Sequence, residues 1–307
     1  MDKSSRISSK NLKAHDLKSF LADLKSLTKS IVLIANVLPV FAGFWLALYF
    51  TDASFMAHLD TLLITIIGST LTIAGALILN NWYEVDLDRE MMRTQQRPTV
   101  TGNLSMNTIL MMGIIASALG IGLMLFTTLE ATIYAFLGWF TYVVLYTFWS
   151  KRKYTLNTMI GSVSGAFTPL IGWAAIESAY HIVPIVLFIL LLIWQIPHTF
   201  AITIRRFNEY KAAGVPMLPV VYGFDITKRQ TVIYIACLLP LPLFLTSLGM
   251  VFVTIATVIN IVWLIIGIRG FFTKDDVKWA NMIFYFSLSY LTIFFMMLIG
   301  FTLPFFN

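Results

Sequence analysis

The sequence predicts an all-α polytopic membrane protein with nine transmembrane helices, the N-terminus cytoplasmic and the C-terminus outside. Three observations carry that prediction. The 307-residue chain is 58% hydrophobic and only 12% charged, and its mean hydropathy is +0.82, a balance that a water-soluble domain does not reach. Uncharged stretches, most of them long enough to cross about 30 Å of hydrocarbon as a helix, recur along the chain. All 21 Lys and Arg fall in the N-terminal segment or in alternate connections, which the positive-inside rule assigns to the cytoplasm.

The elements follow in order. Residues 1–30 form a cytoplasmic segment in which Leu17, Phe20, Leu21, Leu24 and Leu27 recur at helical spacing with lysines between them. That pattern reads as an amphipathic helix lying at the membrane interface. Lys mixed with Asp16 and Asp23 argues against a transit peptide, and no cleavable signal peptide is apparent. Residues 31–307 form one integral domain, with spans expected from the stretches 31–51, 61–83, 104–129, 131–149, 154–176, 182–204, 230–268 and 279–307. The stretch 230–268 is too long for one crossing. Pro240, Pro242 and the turn Ser247-Leu248-Gly249 divide it in two, which brings the count to nine. The basic residues lie in the N-terminal segment and in 80–105, 150–153, 205–229 and 269–278, whereas 52–60, 127–130, 177–181 and 247–250 carry none. The net charge of +6 therefore reports topology and attraction to anionic lipid, and no nucleic-acid-binding motif accompanies it. The single cysteine, Cys237, excludes an intrachain disulfide and a cysteine-based metal site.

Chemistry concentrates in three places. The run NNWYEVDLDREMMRTQQRP at 80–98 follows an apolar stretch directly. On a helix, Asn80, Glu84 and Asp88 line one face at i, i+4, i+8, and three oxygen-bearing side chains there suit a hard cation such as Mg²⁺. Arg89, Arg93 and Arg97 share a four-residue spacing that suits phosphate oxygens. The bland reading is a solvated helix end, but the spacing argues against it. Asp86 points off that face and is left out. The second place is Tyr146, Lys151, Arg152 and Asn157. Alone it reads better as a topogenic basic loop, and only the first cluster raises its functional reading. The third is WQIPHTFAITIRRFNEYKAAGVPMLP at 194–219. Pro197 breaks a hydrogen bond there and can open the helix, next to His198, a polar group that needs a partner in such a place. A histidine bonded across helices is the simpler account of His198, and Arg205, Arg206, Lys228 and Arg229 have an equally simple account as positive-inside anchors. A faint repeat, P-x-V-x-G, occurs at 98–102 and 219–223.

Together these clusters resemble the UbiA superfamily of membrane prenyltransferases. Its first acidic motif matches Asn80, Asn81, Glu84, Asp88, Arg93 and Thr94, with Asn81 and Glu84 standing where Asp is usual. Its tyrosine with a following Lys-Arg pair matches Tyr146, Lys151 and Arg152. The stretches NNWYEVDLDREMMRTQQRP, YTFWSKRKYTLNTMIGSVSGAFTPLIGW and IWQIPHTFAITIRRFNEY are similar to the heme O synthase (protoheme IX farnesyltransferase) branch. A second Asp-rich motif of the wider superfamily is missing, and Gln195, His198 and Glu209 occupy its stretch.

The resemblance implies helices around a central cavity that opens sideways to lipid, with its mouth on the cytoplasmic side of the cell membrane. It implies farnesyl diphosphate and protoheme IX as substrates, Mg²⁺ as cofactor, and heme A synthase or a terminal oxidase assembly as downstream partners. Glu84, Asp88, Arg93, Lys151 and Arg152 are then expected in catalysis, with Asn80, Glu84 and Asp88 on the metal. Substrate contacts are expected from Asn80, Asn81, Arg89, Arg97, Tyr146, Asn157, Gln195, His198, Arg205, Glu209, Tyr210 and Lys228. His198 is open to three roles: orienting the porphyrin, touching its iron or moving a proton. The competing readings are a prenyltransferase acting on an aromatic quinone precursor and a secondary transporter. The transporter is disfavoured because the span interiors lack Asp, Glu, Lys and Arg.

Overall fold

The computed structural model describes residues 17–303, and every regular element among them is helical. α1 (Leu17–Leu27) precedes α2 (Ser30–Thr51), α3 (Leu59–Tyr83), α4 (Val85–Glu90), α5 (Pro98–Thr101), α6 (Met106–Met124) and α7 (Leu129–Phe140). α7 continues as a π-helix over Thr141–Ser150. Then come α8 (Asn157–Ala166), α9 (Thr168–Ala174), α10 (Ile182–Arg205), α11 (Phe207–Ala212), α12 (Leu218–Cys237), α13 (Met250–Ile268) and α14 (Asp276–Gly300). Among the described residues, 8 helical segments are long and apolar enough to cross a membrane. Outward-facing apolar side chains such as Ile31, Leu119, Val258 and Met296 stay exposed on them, the state expected of surface that lipid covers.

The expected span 154–176 forms as two short helices, α8 and α9, neither of which is long enough alone. Pro169 explains the break. It has no N–H for the carbonyl of Gly165 four residues earlier, so the α-helical ladder is interrupted there. The Thr168 hydroxyl donates to that carbonyl instead, at 2.6 Å. The expected division of 230–268 is observed: a 3₁₀ turn over Leu241–Leu248 follows α12, and Gly249 at φ 93° immediately precedes α13. Pro197, by contrast, leaves α10 continuous.

Close helix approach fixes the bundle. A Cβ on Gly172 of α9 would lie 1.8 Å from the Val40 carbonyl oxygen of α2, and one on Gly43 of α2 would lie 2.1 Å from the Pro169 carbonyl oxygen. In lipid, where helices gain little from hydrophobic burial against one another, such small-residue contacts supply the packing. Gly172→Val must therefore push α2 and α9 apart. The expected cost is about 1–3 kcal/mol or more, read as a lower thermal midpoint in detergent, and an unchanged midpoint would refute this packing.

The loops without basic residues meet at one end of the bundle. Thr128 donates to the Ala174 carbonyl at 2.6 Å, and Glu130 accepts from the Ala179 amide at 3.0 Å. The charged connections gather at the other end. There Leu87 of α4 packs on Val215, Met217 and Tyr210, so the segments after α3 and after α10 close over the same place. Gly102 and Gly223, the last residues of the P-x-V-x-G repeat, both take left-handed φ values, 77° and 80°.

Candidate active site

The run 80–98 does not form one helix. α3 ends at Tyr83, Glu84 takes φ −98°, ψ 18°, and α4 starts at Val85. The four-residue hydrogen bonds nevertheless continue on both sides of the break, Glu84 N–H to Asn80 O at 3.0 Å and Asp88 N–H to Glu84 O at 2.9 Å. Asn80, Glu84 and Asp88 are all buried. The arginines separate instead. Met91 leaves the helix with φ −100°, ψ 117°, so Arg89, Arg93 and Arg97 share no helical face, which corrects the expected fork. Arg97 turns back to Asp88 at 2.6 Å, and Thr94 Oγ1 donates to Asp88 O at 2.8 Å. Arg89 and Arg93 are exposed.

Lys151 arrives from the end of α7. Its amide donates to Tyr146 O, a five-residue step of the π-helix that places residues i and i+5 on one face. The Lys151 ammonium thus lies 5.4 Å from the centre of the Tyr146 ring and 2.5 Å from Glu84 Oε2. Burial works against its charge, but the neighbouring Glu84 carboxylate prevails and holds the lysine above its ordinary pKa. Tyr210 lies within electrostatic reach of the same ammonium. Arg152 turns outward. It forks onto Asp86 with two contacts of 2.7 Å and lies 4.9 Å over the Tyr83 ring. The Asp86 carboxyl falls below its ordinary value because Arg152 donates to it.

Asn80 and Asn81 have a use that sequence reasoning missed. Asn81 Nδ2 donates to Leu27 O at 2.6 Å, and Asn80 Oδ1 accepts from Lys29 Nζ at 2.6 Å while its Nδ2 donates to Thr147 Oγ1 at 3.0 Å. Both amides thus hold the turn between α1 and α2. The Asn81 amide donates to the Leu27 carbonyl, which an ionised aspartate at 81 cannot do. Burial, aided by Arg97, brings the Lys29 ammonium down to about 7 against the pull of Glu84. No local sequence signal marked Lys29, because it reads as the last basic residue before an apolar stretch.

The remaining expected residues lie around this cluster or away from it. Asn157 donates to Lys151 O at 3.3 Å and Pro216 O at 3.5 Å, tying the two covering segments together. Gln195 donates to Ser162 O and Leu191 O and lines a cavity of about 160 Å³ with Ser69, Thr72, Ala76, Trp139 and Tyr142. The Tyr142 and Tyr146 rings, 5.5 Å apart, connect that cavity to Lys151. His198 faces α14. Its ring lies between Trp194 and Phe284, at 5.0 and 5.1 Å, and Nδ1 is 2.7 Å from Ser287 Oγ. The one Ser287 proton goes to Phe284 O at 2.6 Å, so hydrogen-bond logic assigns the shared proton to Nδ1 and leaves Nε2 a bare lone pair. Arg205 stacks 4.1 Å over Phe284. Glu209 pairs with Arg206 at 2.8 Å, and Lys228 pairs with Asp276.

The donor set fits a hard cation in a limited way. Glu84 Oε1 and Asn81 Oδ1 are buried oxygens without a hydrogen-bond partner, and such groups are costly unless something fills them. Among the described residues no group of three His, Cys, Asp or Glu side chains surrounds a single point. Mg²⁺ is commonly held by one or two carboxylates and completed by phosphate oxygens and water, and Glu84 and Asp88 are the buried carboxylates here that could hold it.

Arg97 and Arg93 can be compared directly. Arg97→Ala leaves the buried Asp88 carboxylate without its cation, and it is expected to lower the thermal midpoint in detergent well below that of Arg93→Ala, since breaking a buried pair costs roughly 3–5 kcal/mol. Equal midpoints for the two variants would reverse the assignment.

A model of the UbiA prenyltransferase family matches residues 36–299. A protoheme IX farnesyltransferase of Oceanobacillus iheyensis is 53% identical over 289 residues, covering 94% of this chain and 92% of that protein. Protoheme IX farnesyltransferase 2 of Bacillus subtilis is 50% identical over 281 residues, 92% of each chain. Among solved structures, one described for digeranylgeranylglyceryl phosphate synthase superposes with a TM-score of 0.74 at 18% identity, covering 92% of this chain and 98% of that one. A UbiA homolog from Archaeoglobus fulgidus, bound to GPP and Mg²⁺, does so with a TM-score of 0.66 at 14% identity, covering 91% and 99%. At that identity the two structures establish the shared fold.

Proposed function

The chain belongs to the UbiA prenyltransferase family, and from that premise we propose that it transfers the farnesyl group of farnesyl diphosphate to a vinyl group of protoheme IX, giving heme O. The relatives of about half identity that carry the protoheme name support the acceptor. The observation that carries the chemistry is the buried cluster of Glu84, Asp88, Lys151 and Arg97, which reaches the cavity through Tyr146 and the cavity-lining Tyr142 against which Tyr146 packs.

Lys151 and Arg97 bind the diphosphate and neutralise the charge that develops as it leaves. Glu84 and Asp88, with Asn80 or Asn81 beside them, are the residues that would hold Mg²⁺. When bound, that ion supplies Lewis-acid stabilisation of the departing diphosphate. The allylic carbon–oxygen bond breaks and its electron pair leaves with the diphosphate. The vinyl π pair then forms the new carbon–carbon bond. Water adds to the cation left on the porphyrin side chain and loses one proton. Throughout, the apolar cavity wall keeps bulk water from the first allylic cation. The cavity is smaller than the roughly 300–1,000 Å³ that encloses a drug-sized ligand, so the fifteen-carbon chain extends past it towards lipid.

The site faces the cytoplasm in this reading, because the basic connections lie at its end of the bundle. α8 and α9 together complete a ninth crossing, the C-terminus lies outside, and α1 rests on the cytoplasmic surface of the plasma membrane with Leu27 packed on Ile78 and Ile109. Hand-off of the product to heme A synthase or a terminal oxidase assembly follows from the same reading.

Membranes containing the chain, given farnesyl diphosphate, protoheme IX and Mg²⁺, are expected to yield the hydroxyethylfarnesyl porphyrin by mass spectrometry, and a chelator is expected to stop it. Unmodified heme under all conditions would overturn the proposal. Prenylation of a benzoate or naphthoate instead would favour the quinone-type reading.

A further inference from the structure

Lys29 belongs to the first residues of the bundle yet reaches its chemical centre. Its backbone is in the left-handed region, φ 47° and ψ 56°, a conformation that a lysine keeps only when its surroundings impose it. Those surroundings are specific. Asn81 holds the Leu27 carbonyl, the Leu27 side chain is fully buried, and the Lys29 carbonyl accepts the first amides of α2, from Val32 and Leu33. A turn pinned on three sides thus delivers one ammonium to Asn80 Oδ1, within electrostatic reach of Glu84, Asp88, Arg97 and Lys151.

Two features suggest that this contact is temporary. The Asn80 oxygen is a hard donor one helical turn before Glu84, whose own Oε1 is buried without a partner. An ammonium on Asn80 and a metal ion on the same oxygen repel one another. The formal charges point the same way. With Lys29 in its protonated form, Lys29, Arg97 and Lys151 against Glu84 and Asp88 leave one net positive charge. One divalent cation raises this to three, which matches a fully ionised allylic diphosphate; without Lys29 the balance falls one short.

We propose that Lys29 is a diphosphate-positioning residue that rests on Asn80 and would turn its ammonium onto the diphosphate when a divalent cation takes the Asn80 oxygen. The inference rests on the prenyl-transfer reading above and adds to it a residue supplied by the turn before α2. Lys29 and the metal ion then compete for Asn80, whereas Lys29 and the diphosphate assist one another.

The test uses the full chain in detergent without prenyl or heme substrates. Mn²⁺ binding is measured by electron paramagnetic resonance, and inorganic pyrophosphate binding by calorimetry with Mg²⁺ present. Lys29→Gln is expected to tighten Mn²⁺ by several-fold and to weaken pyrophosphate by about tenfold. In turnover it is expected to raise KM for farnesyl diphosphate more than it lowers kcat. Lys29→Arg is expected to recover most of the pyrophosphate affinity. Lys153→Gln, which removes an exposed charge from the nearby basic loop, controls for a general electrostatic effect and is expected to move neither affinity more than about twofold. A merely structural role would weaken both affinities together, and absence of a role would leave both unchanged; either result overturns the inference. So does a Lys153→Gln response equal to that of Lys29→Gln. If Lys29→Gln behaves like wild type while wild type still makes heme O, only this inference fails. If wild type makes no heme O, the functional reading fails independently of the binding data.

Discussion

Asp88→Asn is expected to lower kcat for prenyl transfer by at least ~10³-fold while the protein stays inserted and folded. Loss of one charge-stabilising group in a catalytic centre typically costs 10²–10³-fold, and this substitution weakens two things together. It removes one of two carboxylates available to a divalent cation and the negative partner of Arg97, 2.6 Å away. Folding is expected to survive because asparagine keeps the shape, and because Thr94 bonds the backbone carbonyl of residue 88 rather than its side chain. The measurement is heme O formation by mass spectrometry, paired with thermal unfolding of the same preparation. Turnover within tenfold of wild type would remove Asp88 from the chemistry, whatever the stability.

The second large effect falls on Lys151. Lys151→Gln is expected to raise KM for farnesyl diphosphate by more than ~30-fold and to leave KM for protoheme within about twofold. The ammonium lies on Glu84 and beside Tyr146, whose ring packs on the cavity-lining Tyr142, where a phosphate head group would meet it. The substitution also leaves Glu84 as a buried carboxylate without its cation, a loss of roughly 3–5 kcal/mol. Any divalent cation that binds Glu84 should recover part of that, since ligands that bind only the folded state stabilise it. Mg²⁺ is therefore expected to raise the thermal midpoint of Lys151→Gln more than that of wild type. Equal KM changes for both substrates, or a midpoint indifferent to Mg²⁺, would remove Lys151 from the diphosphate site.

Much of the candidate site was legible because its acids lie close together in the chain. Asn80, Glu84 and Asp88 remain together despite the break at Glu84, since backbone hydrogen bonds continue on either side of it. The arginines were not legible in the same way. Spacing gave Arg89, Arg93 and Arg97 equal standing, and the extended residue Met91 returns only Arg97 to the acids. Arg152 illustrates a second limit: it is adjacent to Lys151, but the two side chains diverge, one to Glu84 and the other to Asp86. For His198, the simpler reading made from the sequence, a hydrogen bond across helices, is the contact observed.

The sequence alone determined the membrane class, the long apolar helices, the division after Pro240, the gathering of basic loops and the family. Each depends on hydrophobicity, charge or spacing within a short stretch, and lipid imposes its requirements on such stretches one at a time. Tertiary structure alone decided which cation meets which acid, why Asn rather than Asp stands at position 81, and that Lys29 reaches Asn80 across 51 positions. Those outcomes depend on where a helix breaks, on the five-residue step of a π-helix and on a pinned turn, and none of these leaves a periodic trace in the order of residues.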